Sequence, residues 1–121
     1  MSTFYTDDHE WVRVTGDHAV VGITRHAADQ LGDVVFVELR AAGERFAKSD
    51  EIGVIESVKA ASPIYAPVAG EVIQTNQAVV DVTSILNDDP EATGWLYKIK
   101  LADVAELDGL MDADAYAALI A

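Results

Sequence analysis

The sequence predicts an all-β dominated fold, a sandwich or a barrel, with a short internal helix and helices at the C-terminal end. Short runs rich in β-branched and aromatic residues recur about every ten residues, a spacing typical of sandwiches and barrels. Turn residues such as glycine and aspartate separate these runs. Helical spacing of apolar residues is confined to a segment near residue 24 and to the segment after residue 103.

The first half of the chain contains a hairpin, a helix and a further strand. The polar residues Thr15-Gly16-Asp17 indicate the hairpin turn. Thr24 can cap the free amides of a helix start, and Gly32 can take the left-handed conformation that ends a helix. The predicted strands of this half are 10-EWVRV-14, 18-HAVVGI-23 and 34-VVFVEL-39.

The second half contains further strands and then helices. Residues 81–94 are polar and predict an ordered loop with a helix-turn fragment around Ser84 to Asn87. Asp103 and Asp112 are N-cap candidates for one or two short helices in the last segment. The apolar runs that predict strands here are 52-IGVIESV-58, 70-GEVIQTN-76 and 95-WLYKIKL-101.

Length and composition predict one folded domain over residues 1–121. Half of the residues are hydrophobic and 24% are charged, which is a globular composition. The 21 acidic residues against 8 basic ones give a net charge of −13. Such a charge repels phosphate, so neither nucleic acid nor an anionic membrane is an expected partner.

The chain has no cysteine, so any redox group must be attached to it rather than supplied by its own side chains. The N-terminal residues lack the basic and apolar regions of a signal peptide. No stretch approaches the ~20 apolar residues of a membrane span. We expect a cytoplasmic protein without a transit or signal peptide.

One of the four lysines stands where the chain reverses, in 52-IGVIESVKAASPIYAPVAGEV-72. The five residues from Glu56 to Ala60 include no glycine, asparagine or proline, which favours a type I turn over a mirror-image one. Pro63 and Pro67 restrict the returning arm to an edge or crossing position. Apolar residues on both arms predict a firmly held tip: Val54, Ile55, Val58, Ile64, Tyr65 and Val68.

The chemistry of an exposed turn lysine suits an acceptor better than a catalyst. The amine of an exposed lysine is protonated at neutral pH and is therefore a poor nucleophile. A separate enzyme can deprotonate and acylate it, and the long acylated side chain then acts as a tether between several enzyme sites. From the residue type alone, a turn lysine without a function remains the simpler interpretation.

A set of spaced motifs runs along most of the chain, from about residue 3 to residue 116. The motifs around the lysine are Glu56-Ser57-Val58-Lys59-Ala60-Ala61-Ser62, Ala66-Pro67 and Gly70-Glu71-Val72. The others are His9-Glu10-Trp11, Gly22-Ile23-Thr24 with Ala27, Leu31-Gly32-Asp33, Val35-Phe36-Val37-Glu38-Leu39, Asn76, Asn87, Pro90 and Gly94-Trp95. In this combination the chain resembles the family of glycine cleavage system H proteins.

The resemblance implies a barrel-sandwich hybrid of the lipoyl/biotinyl type that is a carrier and not an enzyme. Lipoic acid would be bound covalently to Lys59, on an attachment turn that includes Glu56, Ser57, Val58 and Ala60. The lipoamide would shuttle an aminomethyl group from the glycine decarboxylase (P protein) to the aminomethyltransferase (T protein). The dihydrolipoamide dehydrogenase (L protein) would reoxidise the arm, and a lipoyl or octanoyl transferase or a lipoate ligase would attach it.

The resemblance also implies a surface cleft that shelters the loaded arm. Glu10 and His26 stand where residues that line this cleft are found. Asp8 stands where some relatives have serine, and Pro63 stands where an aspartate is found. The hydrogen bonds that hold the arm would therefore differ in this chain.

Other interpretations remain open at this stage. A biotinyl domain usually has methionines beside its lysine, where this chain has Val58 and Ala60, and the lipoyl domain of a 2-oxoacid dehydrogenase acyltransferase usually has an aspartate before it. An unmodified protein-interaction module would show no modification and no loss of function from Lys59→Arg. The acidic and histidine residues of 7-DDHE-10 lack the ligand spacing of a metal site, so we expect no metal.

Overall fold

Short strands form two antiparallel sheets in the computed structural model, which describes residues 2–121. The predicted strands are present with shifts of one or two residues at their ends. The strands are β1 (Ser2–Tyr5), β2 (Glu10–Thr15), β3 (His18–Ile23), β4 (Val34–Leu39), β5 (Arg45–Phe46), β6 (Glu51–Ser57), β7 (Ala61–Tyr65), β8 (Gly70–Thr75) and β9 (Tyr97–Leu101).

The sheets separate the chain into a larger and a smaller layer. The six-stranded sheet has the order β1-β2-β3-β9-β8-β5, and the three-stranded sheet has the order β4-β6-β7. Strand β7 is thus an edge strand, which is where Pro63 can be accommodated because it has no amide to donate. This agrees with the position predicted for the returning arm of the lysine hairpin.

Three of the helices begin at the predicted caps. The side chains of Thr24, Asp103 and Asp112 accept hydrogen bonds from backbone amides at their helix starts. Among residues 2–121, no helix is long and apolar enough to cross a membrane. The helices are α1 (Arg25–Leu31), α2 (Gln77–Asp81), α3 (Ser84–Asp88), a 3-10 helix (Val104–Gly109) and α4 (Ala113–Ile120).

Three local predictions need correction. Gly32 ends α1 with φ 72° and ψ −153°, so it has a positive φ as expected but lies outside the left-handed helical region. Strand β1 was not predicted, because its four residues are too short for a pattern and are ordered by pairing with β2. Helix α2 was not predicted either, since two adjacent valines have low helix propensity.

The core lies between the two sheets, and a buried tyrosine links them. Trp11 and Tyr97 are buried, whereas Trp95 is only half-buried, with the Lys98 ammonium 4.9 Å from the centre of its ring. The Tyr97 hydroxyl on β9 donates to the Ile52 carbonyl on β6 and accepts from the Arg40 amide at 2.8 Å. Burial raises the pKa of Tyr97 to about 12, so the hydroxyl keeps its proton and this link persists across the neutral range.

Candidate modification site

Lys59 lies in a two-residue turn that is closed by a serine side chain. Strands β6 and β7 pair up to Ser57 and Ala60, where the Ser57 amide donates to the Ala60 carbonyl at 2.8 Å. The amides of Lys59 and Ala60 both donate to Ser57 Oγ at 3.2 Å. Neither Val58 nor Lys59 has a positive φ, which excludes a mirror-image turn as predicted. Both residues of the turn are exposed, so the amine is presented to solvent.

The turn is also held by the segment between α1 and β4. The Val58 amide donates to the Asp33 carbonyl at 3.0 Å. The Lys59 side chain lies against Gly32, where an added Cβ would sit 3.2 Å from Lys59 Cε. The tip of the hairpin is therefore fixed both within itself and against a separate part of the chain.

The predicted apolar faces of the two hairpin arms are only partly buried. Ile55, Ile64 and Val68 belong to the core as expected. Val58 is 67% exposed and Tyr65 is 38% exposed, so these two apolar side chains of the arms are not part of the core. Val58 lies in the turn itself, beyond the last paired residue, and has no facing strand to cover it.

A β-bulge adds apolar surface beside the lysine turn. The register between β4 and β6 shifts between Val34 and Phe36. As a result two consecutive side chains face outward, with Val35 58% exposed and Phe36 44% exposed. Because Phe36 pairs with Glu56 and the Asp33 carbonyl binds the Val58 amide, these side chains belong to the same end of the small sheet as Lys59.

A cavity of about 170 Å³ lies between α1 and the arms of the lysine hairpin. Glu10, Asp8 and Pro63 all line it, which places three residues singled out in the sequence around one space. Leu31 also lines it and precedes Gly32, against which the Lys59 side chain lies, while Lys59 itself is not a lining residue. The remaining lining residues are His9, Ile23, Ala27, Gln30, Ile55, Ser62 and Ile64.

Glu10 is a buried carboxyl group with an unusual protonation equilibrium. It is 3% exposed, and its oxygens accept hydrogen bonds from the Tyr65 amide at 3.1 Å and the Thr6 hydroxyl at 3.2 Å. Burial raises the pKa of Glu10 to about 8, and the negative charges of Asp8 and Asp7 add to the rise. The two hydrogen bonds oppose it only in part. Glu10 is therefore mostly protonated at neutral pH.

His26 lies next to the cavity rather than on its lining. Its ring is 4.7 Å from the ring of His9, centre to centre, and His9 is the histidine that lines the cavity. The role of His26 as a cleft residue stays a prediction. Among residues 2–121, no group of three or more histidine, aspartate and glutamate side chains is placed to hold a metal ion.

No sequence pattern predicted that the C-terminal helix would hold the cavity wall. Tyr116 of α4 places its hydroxyl 2.9 Å from His9 Nδ1 and 2.7 Å from Thr24 Oγ1, and its ring stacks on Tyr5. His9 has a positive φ of 67°, which is uncommon for a residue other than glycine. These partners lie about 90 or more residues apart in sequence, so no local pattern could reveal them.

Two antiparallel β-sheets, one of which ends in the braced hairpin that carries Lys59, define a barrel-sandwich hybrid. The particular family follows from the sequence, because residues 3–121 match the glycine cleavage H-protein family. The chain belongs to this family, whose members are the lipoyl carriers of the glycine cleavage system.

Individual relatives agree in sequence and in fold. The glycine cleavage system H protein of Dinoroseobacter shibae is 61% identical over 119 residues, which cover 98% of each chain. That of Phenylobacterium zucineum is 55% identical over 117 residues, or 97% of each chain. The crystal structure of a glycine cleavage system H protein from Mycobacterium marinum superposes with a TM-score of 0.88 at 37% identity, over 97% of this chain and 94% of that one. The predicted family and fold class are thereby confirmed.

Proposed function

We propose that Lys59 carries covalently bound lipoic acid and that this chain is the aminomethyl carrier of glycine cleavage, a single domain over residues 1–121 without catalytic activity of its own. Its partners are the P, T and L proteins and the transferase or ligase that attaches the lipoyl group. The location stays as predicted from the sequence, the cytoplasm. The observation that carries the proposal is the exposed Lys59 at a braced hairpin tip in a chain of the H-protein family.

The surroundings of Lys59 support its role as an acceptor. Within residues 2–121 its amine forms no ion pair, so a modifying enzyme has no carboxylate to displace before it reaches the nitrogen. The exposed apolar side chains of Val35, Phe36 and Val58 give such an enzyme a surface on which to bind. The net charge of −13 favours partners with basic surfaces.

The cavity beside Lys59 fits the reacting end of a loaded arm. When bound, the lipoyl group supplies a dithiol that carries the aminomethyl group and a disulfide that is restored by reoxidation. The isoleucine and leucine side chains of the wall suit the apolar part of such an arm. The volume of about 170 Å³ is below the roughly 300–1,000 Å³ of sites that enclose a drug-sized ligand, so the cavity suits the end of an arm and not a whole free ligand.

Glu10 is a carboxyl group in the wall of this cavity, and its protonation state would change when a cation comes close. Its pKa of about 8 leaves it mostly protonated at neutral pH when nothing positive is near. An ammonium group brought next to it favours the ionised form and lowers its pKa, because opposite charges stabilise each other most strongly where water is excluded. Glu10 would thus hold the amine by gaining a charge, while Thr6 and Tyr65 keep the carboxyl group in place.

Intact mass spectrometry tests the proposal. The unmodified protein is incubated with lipoate, ATP and a lipoate ligase, and we expect the wild type to gain the mass of one lipoyl group. Lys59→Arg should gain none, since the guanidinium group offers no acceptor amine.

Lys48→Arg is the matched control. Lys48 is also exposed in a tight turn, in which the Asp50 amide donates to the Ala47 carbonyl at 3.1 Å, and the neighbouring Ser49 has a φ of 73°. This variant should gain one lipoyl group like the wild type. An unmodified wild type under these conditions would mean that the chain is an interaction module without a prosthetic group. An adduct that survives Lys59→Arg and disappears in Lys48→Arg would show that Lys48, and not Lys59, is the attachment site.

A further inference from the structure

We infer that Asn87, in helix α3, is a positioning residue for the acceptor lysine, although it lies 28 positions away in sequence and does not touch Lys59 directly. Its side chain holds the segment of residues 32–34, and that segment holds the lysine turn. The inference rests on the proposed acceptor role of Lys59. According to this inference, the Asn87 side chain keeps the lysine turn in a fixed position.

The Asn87 amide binds the segment at both of its polar atoms. Nδ2 donates to the Gly32 carbonyl at 2.7 Å, and Oδ1 accepts from the Val34 amide at 2.9 Å. A planar amide that bridges residues i and i+2 of another segment fixes the backbone direction between them. Thr83 adds a third bond, since its hydroxyl donates to the Val34 carbonyl at 2.8 Å.

The held segment touches the lysine turn at two points. The carbonyl of Asp33, between the two residues that Asn87 binds, accepts from the Val58 amide at 3.0 Å. The Lys59 side chain lies against Gly32, the residue whose carbonyl binds Asn87 Nδ2. Both the backbone of the turn and the outer end of the lysine side chain therefore rest on the segment that Asn87 fixes.

A role within its own helix does not explain Asn87. Helix α3 has five residues, and both hydrogen bonds of the Asn87 side chain go to residues more than 50 positions earlier. Asn87 thus links helix α3 to residues 32–34 at the start of strand β4, and this segment contacts the lysine turn. For an acceptor amine that must reach a small active site, a misplacement of about 1 Å can reduce the rate by as much as ~100-fold.

The chain offers a matched control in Asn76. Its Nδ2 also donates to two backbone carbonyls, those of Thr93 at 2.9 Å and Trp95 at 2.7 Å. These partners precede β9 in the other sheet and make no bond to the lysine turn. Asn76→Ala therefore removes comparable hydrogen bonds without removing the support of Lys59.

The test compares Asn87→Ala, Asn76→Ala and the wild type by two measurements on natively folded protein. The first is the hydrogen-exchange rate of the Val58 amide, and the second is kcat/KM for lipoate attachment by a lipoate ligase. For Asn87→Ala we expect exchange to rise and kcat/KM to fall, each by about tenfold. For Asn76→Ala we expect both to stay within about twofold of the wild type.

Each other outcome has a defined meaning. If Asn87→Ala leaves Val58 exchange and attachment as in the wild type, or if Asn76→Ala changes them equally, the inference is overturned. If Asn87→Ala does not fold, Thr83→Ala removes a single hydrogen bond to the same segment, the one to the Val34 carbonyl, so it should show a smaller change of the same sign, and no change again overturns the inference. If the wild type accepts no lipoate, the proposed function fails, while the exchange rates still decide whether Asn87 holds the turn.

Discussion

Two hairpins of this protein reverse the chain through two residues, yet they are stabilised in different ways. The turn between β2 and β3 has Gly16 at φ 64°, and an added Cβ there would meet nothing within 4 Å. The turn between β6 and β7 has no glycine and no positive φ. It is held instead by Ser57 Oγ and by the carbonyl of Asp33.

The difference shows how a turn that only reverses the chain differs from one that presents a group. A glycine turn can follow from its own residues, and the bond to it from outside the hairpin, from the Leu101 amide to the Asp17 carbonyl at 2.8 Å, continues the pairing of β3 with β9. The lysine turn keeps a residue with a long side chain at its tip, and its position depends on contacts with distant segments. Three substitutions in and around the lysine hairpin test this comparison.

The largest effect on the free energy of unfolding is expected from Glu10→Gln. Glu10 binds the returning strand of the lysine hairpin, where the Tyr65 amide donates to Glu10 Oε2. The pKa of Glu10 is about 8 in the folded protein and near 4.5 when unfolded, so the native state binds its proton more strongly. The contribution of Glu10 to stability is complete below pH 4.5 and is lost as the pH rises to about 8. Glu10→Gln should therefore match the wild type near pH 4 and exceed it at pH 9 by a few kcal/mol.

Urea unfolding of both proteins at several pH values checks this prediction. The informative quantity is the difference in unfolding free energy between Glu10→Gln and the wild type, because the other titrating groups cancel. A difference that does not change between pH 4 and pH 9 would show that Glu10 is not held protonated by burial.

The second test compares two glycines with positive φ, Gly16 within the glycine turn and Gly32 beside the lysine turn. Gly32 has ψ −153°, a combination that is essentially restricted to glycine, whereas an added Cβ at Gly16 has open space. Gly32→Ala should lower the unfolding free energy by about 2–3 kcal/mol, and Gly16→Ala by about 1 kcal/mol. In Gly32→Ala the Lys59 side chain must also move, since its Cε lies 3.2 Å from the new Cβ.

Thermal or urea unfolding measures both losses, and the rate of lipoate attachment measures the displacement of Lys59. Attachment should slow in Gly32→Ala and not in Gly16→Ala. Equal effects of the two substitutions on attachment would remove the distinction between the turns.

The smallest effect is expected from Ser57→Ala, which removes the acceptor of the Lys59 and Ala60 amides. Because the turn is exposed, water replaces part of the loss, and we expect a decrease in stability of about 0.5–1 kcal/mol. Hydrogen exchange of the two amides should become faster. Thr15→Ala, at the equivalent position of the glycine turn, is the control and should leave the exchange of Lys59 and Ala60 unchanged. Unchanged exchange in Ser57→Ala as well would mean that Ser57 does not close the turn.

Features that depend on neighbouring residues could be predicted from the sequence. The strands around Lys59, the glycine turn and the caps Thr24, Asp103 and Asp112 follow from patterns within a few residues, because periodicity and capping are local effects. The family also follows from the sequence, since its motifs are spaced along the chain.

The contacts that support the site could not be predicted from the sequence and became visible in the folded chain. The raised pKa of Glu10 requires burial, the bonds of Asn87 reach segments more than 50 residues away, and Tyr116 meets His9 across almost the whole chain. The bulge that exposes Val35 and Phe36 depends on how β4 pairs with β6. Burial and long-range pairing exist only after the sheets have packed together, so no local pattern of residues contains them.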